Sequence, residues 1–432
     1  MGVPPAPTKL VISIVGAGLG GLAAALCLGR LGHRVTVFEA AREANDIGAG
    51  IQVPPNVTRL LVEWGLQAEL EGIAVKPRAA SWRRYDSGAL VGALDTEKIE
   101  AKYGVPHYNV HRGDLHRMML NAANAVADVK TNARVLSVNL DAYQQAKTVD
   151  NRTRRQRPSV TLVDGQVFHS DLVIGADGIK SVTRNVVCGP VESYIGLHAN
   201  SAHRAIVPVG EMLKDAELKE LVESMHVTCW MGPGRNVVGY CISGGKDYNL
   251  VFSCPCPQDD MKRESWSIPS SREAIRAEYI GWDNRIQKLI DLVSTTSRWR
   301  LVDRPIIERW VHPAGVVLLG DACHPLLPYG GQGAAMAMED AAVLAALLAH
   351  IKSYAELPCL LDTYVDLRKP RCSYIQEISR NNGRMFHLLD GPEQVERDKM
   401  LGGIAEAEDR NETQFGYVVR RDVERKLTKG RL

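Results

Sequence analysis

Three glycine-centred segments carry the residues in this sequence best suited to cofactor chemistry. The first, Gly16-Ala17-Gly18-Leu19-Gly20-Gly21, follows an apolar run, Lys9 to Val15, and opens an alanine-rich stretch, Leu19 to Leu31. In that setting Gly16 permits a tight turn, Gly18 lets backbone approach a diphosphate, and Gly21 lets helix pack closely on strand. The unpaired N–H groups and dipole at the helix start then stabilise phosphate charge. Glu39 ends the next apolar run, Arg34 to Phe38, where a carboxylate accepts hydrogen bonds from an adenosine ribose. Strand, glycine turn, helix, strand and acid make a βαβ unit and predict a dinucleotide site.

The second segment is Gly175-Ala176-Asp177-Gly178-Ile179-Lys180-Ser181, with Arg184 beyond it. Alone, Asp177-Gly178 reads as a β-turn. The third is Gly320-Asp321-Ala322-Cys323-His324-Pro325, then Pro328-Tyr329-Gly330-Gly331-Gln332-Gly333-Ala334. A helix starting near Gly333 would point its positive end at whatever these glycines admit. His324, followed by proline in a tight loop, reads as structural. Two shorter matches are Gly48-Ala49-Gly50-Ile51-Gln52 and His111-Arg112-Gly113-Asp114-Leu115.

In this order along the chain, the motifs resemble those of the class A FAD-dependent aromatic monooxygenases. These are the salicylate-hydroxylase-like group of the para-hydroxybenzoate hydroxylase superfamily, and the resemblance spans nearly the whole length. It implies a glutathione-reductase-like FAD-binding Rossmann domain, an inserted antiparallel β-sheet substrate domain and C-terminal helices. It implies FAD as cofactor, with Asp321 on the ribityl chain and Gly333 and Ala334 at the isoalloxazine edge. Arg112 would contact the flavin, Gly50 and Gln52 belong to a mobile-flavin loop, and Asp177 serves both flavin and nicotinamide. NADPH or NADH would be a transient co-substrate, since no second glycine-rich βαβ unit exists for it. The implied reaction uses O₂ and a flavin C4a-hydroperoxide to hydroxylate a small aromatic molecule of phenolic, benzoate or indole type. Alternatives are an alkene epoxidase and a non-enzymatic flavin-binding redox regulator. A flavin halogenase is set aside, because Glu264 stands where that signature begins with tryptophan.

Substrate residues are expected on the inserted sheet. Arg204, in His203-Arg204-Ala205-Ile206-Val207-Pro208, matches in pattern a substrate-side arginine of some members, and Tyr240 sits on a strand that would share its cavity. An arginine beside a phenol favours the phenolate and makes the ring more nucleophilic. His226 and Trp230 read as ordinary sheet packing.

The elements that must position these residues follow from pattern. The expected FAD-binding domain is discontinuous, at 1–80, 105–187 and 300–350, with the substrate sheet at 81–104 and 188–299 and helices at 351–432. Asn56 to Glu71 reads as one helix, and Asp114 to Val126 as another, capped by Asp114 or Gly113. Ala79 to Leu94 reads as a hairpin turning at Asp86-Ser87-Gly88, and Arg134 to Leu140 pairs with Val160 to Val163. The arginine-rich stretch Asp150 to Pro158 reads as a solvated tip.

Composition bounds the rest. The 432 residues are 45% hydrophobic and 24% charged, an ordinary globular balance that suits two or three structural units. Lysine plus arginine number 52 against 50 acids, for a net charge of +2, so no nucleic-acid partner is expected. Nine cysteines lack metal-ligand spacing, so no metal site is expected and the thiols suit a reducing cytoplasm. Met1 to Thr8 lacks a signal-peptide pattern, and the apolar run Ala334 to His350 is too short and too interrupted by acids to span a bilayer.

Overall fold

The computed structural model of the chain describes residues 4–42, 49–140, 157–189, 200–257, 267–403 and 408–429. Gly48, Glu264 and most of the arginine-rich tip lie outside these residues.

The strand Val11–Val15, helix Leu19–Arg30 and strand Arg34–Phe38 form the expected βαβ unit, its two strands parallel and adjacent. They sit inside a six-stranded sheet that also takes Asp128–Lys130, Leu172–Gly175, Val316–Leu318 and Val311–His312. All neighbours run parallel except the last pair, at one edge. The central strands are apolar on both faces because both faces are covered. The helix Leu19–Arg30 lies against the helix Gly333–Leu348. A Cβ on Gly20 would fall 2.9 Å from Ala337 Cβ, so small residues let these two helices approach.

An eight-stranded sheet forms the second layer. Its order is Ser267–Ser270, Thr296–Arg300, Asn200–Pro208, Asp247–Pro255, Arg235–Ile242, His226–Gly232, Ala79–Arg84 and Leu90–Asp95. Neighbours are antiparallel apart from one parallel pairing, His226–Gly232 with Ala79–Arg84, where the early hairpin joins the later strands. Alternation along the strands sorts its two faces. Trp230, Val237, Leu250 and Phe252 pack under the helices Arg272–Glu278 and Asn284–Asp291, against Ile275, Tyr279 and Ile286. The alternate residues face the Rossmann layer.

Two expected helices differ in detail. The predicted helix Asn56 to Glu71 is two helices, Pro55–Glu63 and Gln67–Ile73, parted at Gly65, whose φ of 71° ends the first. The helix predicted to begin at Asp114 begins earlier, as Arg112–Asn124, with His111 in the cap position. Asp114 stands in its first turn, where a negative charge still suits the dipole. The chain ends in the helices Leu357–Phe386, Pro392–Gly402, Glu408–Phe415 and Val419–Lys429. Among the described residues no helix is long and apolar enough to cross a membrane.

Candidate active site

Between the two sheets lies a cavity of about 590 Å³, and the glycine motifs supply much of its wall. Gly16 turns the chain out of the first strand with a φ of 100°, and a Cβ there would lie 2.5 Å from the Ala176 carbonyl oxygen. A Cβ on Gly21 would lie 2.1 Å from the Gly16 carbonyl oxygen, whereas one on Gly18 would meet nothing within 4 Å. Gly16 and Gly21 therefore shape the turn from behind, and Gly18 leaves it open toward the cavity. The Glu39 carboxylate accepts from the Ala17 N–H at 2.8 Å and the Ala41 N–H at 2.9 Å, which fixes it beside the turn rather than in the cavity wall.

Asp177 is likewise behind the wall. Its carboxylate accepts from Ser181 Oγ at 2.6 Å and from Thr183 N and Oγ1 at 3.0 Å, tying down the start of the helix Val182–Cys188. Gly178, not Asp177, reaches the cavity. The buried Arg184 then joins the second motif to the third. It donates to the carbonyls of Ile179 at 3.0 Å, Asp321 at 2.9 Å and Ala322 at 2.6 Å.

Asp321 is open toward the cavity and enclosed by protein elsewhere. Burial pushes its carboxyl above the usual range, against the pull of His324, Arg112 and Arg184. Arg112 lines the same cavity from the first turn of its helix, its backbone N–H bonded to the Ala49 carbonyl at 2.9 Å. Gly333 and Ala334 open the helix Gly333–Leu348, whose first turn has no acidic residue and no side-chain cap. The helix Leu19–Arg30 has the same bare start. Two helix N-termini thus border one cavity, an arrangement that favours an anionic, electron-accepting occupant.

Gly50 and Gln52 lie on the strand Gly50–Val53, across from Gly331. The Gly50 N–H donates to Asn249 Oδ1 at 2.7 Å, and a Cβ on Gly50 would strike both Asn249 and the Tyr240 ring. That latch between the flavin-loop segment and the second sheet had no signal in the sequence. Nor did His116, whose Nε2 bonds the Ala17 carbonyl at 2.7 Å and braces the glycine turn.

A buried ionic network stands behind the third motif. Asp340 Oδ2 accepts from Gly320 N at 2.9 Å and meets His324 Nε2 at 2.5 Å. Burial opposes charge on His324, but the acidic groups around it, Asp340 included, hold its pKa well above the ordinary value. The structural reading of His324 agrees with this geometry. Arg368 binds Asp340 at 2.7 Å and Glu339 at 2.8 Å, and Asn56 bridges Glu339 at 2.7 Å to the Gln332 side chain at 3.1 Å. The sequence signal was the Glu339-Asp340 pair inside an otherwise apolar helix.

The second sheet closes the cavity with alternate residues, among them Val227 and Cys229, Val238 and Tyr240, and Val251 and Ser253. Arg204 reaches it from the strand Asn200–Pro208, its guanidinium 5.4 Å from the Trp299 ring centroid. Tyr240 is buried; burial raises its phenol pKa, and the charge of Arg204 pulls it back. His226 and Trp230 are not in the wall, and the Trp230 indole donates to Asp283 at 2.8 Å on the sheet's far side.

These features suit a dinucleotide that ends in a redox ring. There is room at Gly18 for a diphosphate, a bare helix start behind it, a carboxylate at Asp321 and a second helix start at Gly333. The FAD binding domain family matches residues 9–378, and the chain belongs to that family. FAD-dependent monooxygenase OpS4 of Beauveria bassiana (strain ARSEF 2860) is 35% identical over 405 residues, covering 93% of this chain and 90% of that protein. The 3-hydroxybenzoate 6-hydroxylase of Polaromonas naphthalenivorans (strain CJ2) is 32% identical over 406 residues, or 92% and 93% of the two chains. A solved salicylate hydroxylase substrate complex has the same fold, with a TM-score of 0.78 at 22% identity over 97% and 98% of the chains. The chain is an FAD-dependent monooxygenase.

Proposed function

We propose that this monooxygenase hydroxylates a small aromatic substrate of phenolic, benzoate or indole type, with NAD(P)H and O₂ as co-substrates. FAD, when bound, would supply the redox chemistry that carries two electrons from NAD(P)H to O₂, so that one oxygen atom enters the ring and the other leaves as water. Gly18 and the helix start behind it would hold the diphosphate, with Gly16 and Gly21 shaping the turn and Glu39, beside that turn, offering its remaining lone pairs to the ribose. Asp321 takes the ribityl hydroxyls, and Gly333 and Ala334 meet the ring edge. Arg112, Gly50 and Gln52 flank the ring, while Asp177 acts through the turn it holds at Gly178.

Arg204 and Tyr240 are the catalytic pair in this reading. The guanidinium favours the phenolate of a bound phenol, and the neutral Tyr240 hydroxyl donates a hydrogen bond to it. The apolar sheet residues between them exclude water from the reacting carbon. One observation carries the proposal: the glycine motifs and the Arg204–Tyr240 face border a single cavity. The nine free cysteines support a reducing, cytoplasmic setting.

The test is NAD(P)H oxidation and oxygen uptake by the yellow holoenzyme, with and without phenols, indoles, benzoates and alkenes. Stimulation by one aromatic class with a ring-hydroxylated product is the expected result. Stimulation by alkenes alone, with epoxide formed, or no stimulation by any ring compound, refutes the aromatic reading.

A further inference from the structure

One part of the cavity wall comes from outside both sheets. The C-terminal helix Glu408–Phe415 contributes Asn411, Gln414 and Phe415, which face the cavity together with Ile99 and His107. Phe415 is buried, and its ring stands edge-on to Tyr103, at 6.1 Å, and to His107, at 6.5 Å.

Two arginines fix this helix in place. Arg59 donates to the carbonyls of Tyr103 at 3.1 Å, Phe415 at 3.4 Å and Tyr417 at 2.8 Å. Arg371 donates to the Thr413 carbonyl at 2.7 Å while binding Glu339 at 2.6 and 2.7 Å. Glu339 belongs to the same helix as Gly333, so the C-terminal wall is anchored to the element that meets the flavin. Swinging it away would leave donors of both guanidinium groups without the carbonyls they now meet.

The polar groups it presents are uncharged, and its two side-chain amides are half-buried. Among the described residues, the side-chain amides of Asn411 and Gln414 meet no hydrogen-bond partner, and His107 Nε2 is buried without one. Burial lowers the His107 pKa to about 4, so its imidazole is neutral near pH 7. None of these wall residues is a cation, and Arg59 and Arg371, which brace the helix, spend donors on carbonyls and on Glu339. A carboxylate placed against Asn411, Gln414 and His107 would gain no counter-charge from them, whereas a neutral group with donor and acceptor would satisfy all three side chains.

We propose that Asn411, Gln414 and His107 form a subsite for an uncharged hydrogen-bonding substituent of the aromatic substrate, a carboxamide, ketone or phenol rather than a carboxylate, with Phe415 packed beside it. The subsite rests on the aromatic-hydroxylase reading and narrows it. These residues determine specificity through the substituent remote from the oxygenated carbon.

The experiment titrates the purified holoenzyme with 3-hydroxybenzamide and 3-hydroxybenzoate, reading the flavin absorption spectrum. The amide should bind at least about tenfold more tightly than the acid, the scale of a lost charge-free hydrogen-bond pairing. Gln414→Leu and Asn411→Leu should each shrink that ratio by weakening the amide, and Gln414→Arg should shift it toward the acid. FAD content of each variant confirms folding. Equal or tighter binding of the acid by the unsubstituted enzyme, or a ratio that the Leu variants leave unchanged, overturns the subsite. So does a change in KM for NAD(P)H in place of the ratio. If neither ring binds while another aromatic stimulates turnover, the subsite is refuted and the hydroxylase reading stands. If no aromatic stimulates turnover, the hydroxylase reading itself falls.

Discussion

Replacing each of two neighbouring glycines with alanine should separate folding from cofactor binding at the first motif. At Gly21 the added Cβ would sit 2.1 Å from the Gly16 carbonyl oxygen and 3.3 Å from Ala176 Cβ, more than an ångström inside ordinary contact with a backbone atom. The helix Leu19–Arg30 must then move off its strand, at a cost of about 1–3 kcal/mol to the apoprotein. At Gly18 the Cβ meets nothing within 4 Å, and φ is −68°, which alanine adopts freely. Its reduced unfolded-state entropy stabilises by roughly 0.4–1 kcal/mol, and alanine's weakness as an N-cap offsets about as much. Gly18→Ala apoprotein should therefore unfold in urea within about 1 kcal/mol of the parent, whereas Gly21→Ala should be clearly less stable. Both should lose FAD affinity, measured by flavin fluorescence titration: one because the turn is displaced, the other because a methyl group fills the diphosphate's place. A Gly18→Ala protein that keeps FAD at parental affinity would refute the assignment of that open space. Equal destabilisation by the two substitutions would refute the packing argument.

Arg368→Met should destabilise the protein by about 3–5 kcal/mol, because it leaves Glu339 and Asp340 buried with less counter-charge; a loss under about 1 kcal/mol in urea unfolding would show the network to be dispensable. Asp321→Ala should weaken FAD binding roughly 10- to 100-fold through loss of a charged hydrogen-bond acceptor, and an unchanged yellow holoenzyme after gel filtration would remove Asp321 from the site. Stability should also fall in mild acid. Burial, then Lys9, holds the His33 pKa at about 4, and burial holds His107 there too. Both lie below their unfolded value, so the unfolded chain takes up protons first. The stability they confer is complete above about pH 6.5 and is lost as the pH falls from there to about 4, by roughly 1.4 kcal/mol per pH unit for each histidine. His33 Nδ1 accepts the Leu10 N–H at 3.1 Å, a bond that an asparagine can mimic. His33→Asn should cut the slope of stability between pH 6.5 and 5 by one proton's worth, and an unchanged slope would contradict the burial argument.

Local chemistry was legible in the sequence because it depends on near neighbours. Gly16, Gly18 and Gly21 announce a turn whose steric reasons act within a few residues, and the strand Arg34–Phe38 has the bounds its apolar run implies. The Gly320-Asp321 and Gly333 segment pointed to the helix start now found bordering the cavity. Boundaries set by single residues were less legible. Leu60, Leu61 and Leu70 have helical spacing across Gly65, so the pattern ran through a break that the backbone makes there.

Long-range partners were invisible. Asp177 carries the motif, but its carboxylate is consumed by Ser181 and Thr183, and only tertiary packing shows that Gly178 is what faces the cavity. Asn249 reaches Gly50 across 199 residues of chain, and Arg371 meets the Gln414 segment only because helices distant in sequence are packed together. By itself the sequence determined the βαβ turn, the flavin-class motifs and the hairpin Ala79 to Leu94 that joins the second sheet, since periodicity and backbone sterics are written locally. Tertiary structure alone decided which face of that sheet meets the cavity, which acids are already spent on other partners, and that the C-terminal helix completes the wall, since burial and charge pairing exist only once distant segments are brought into contact.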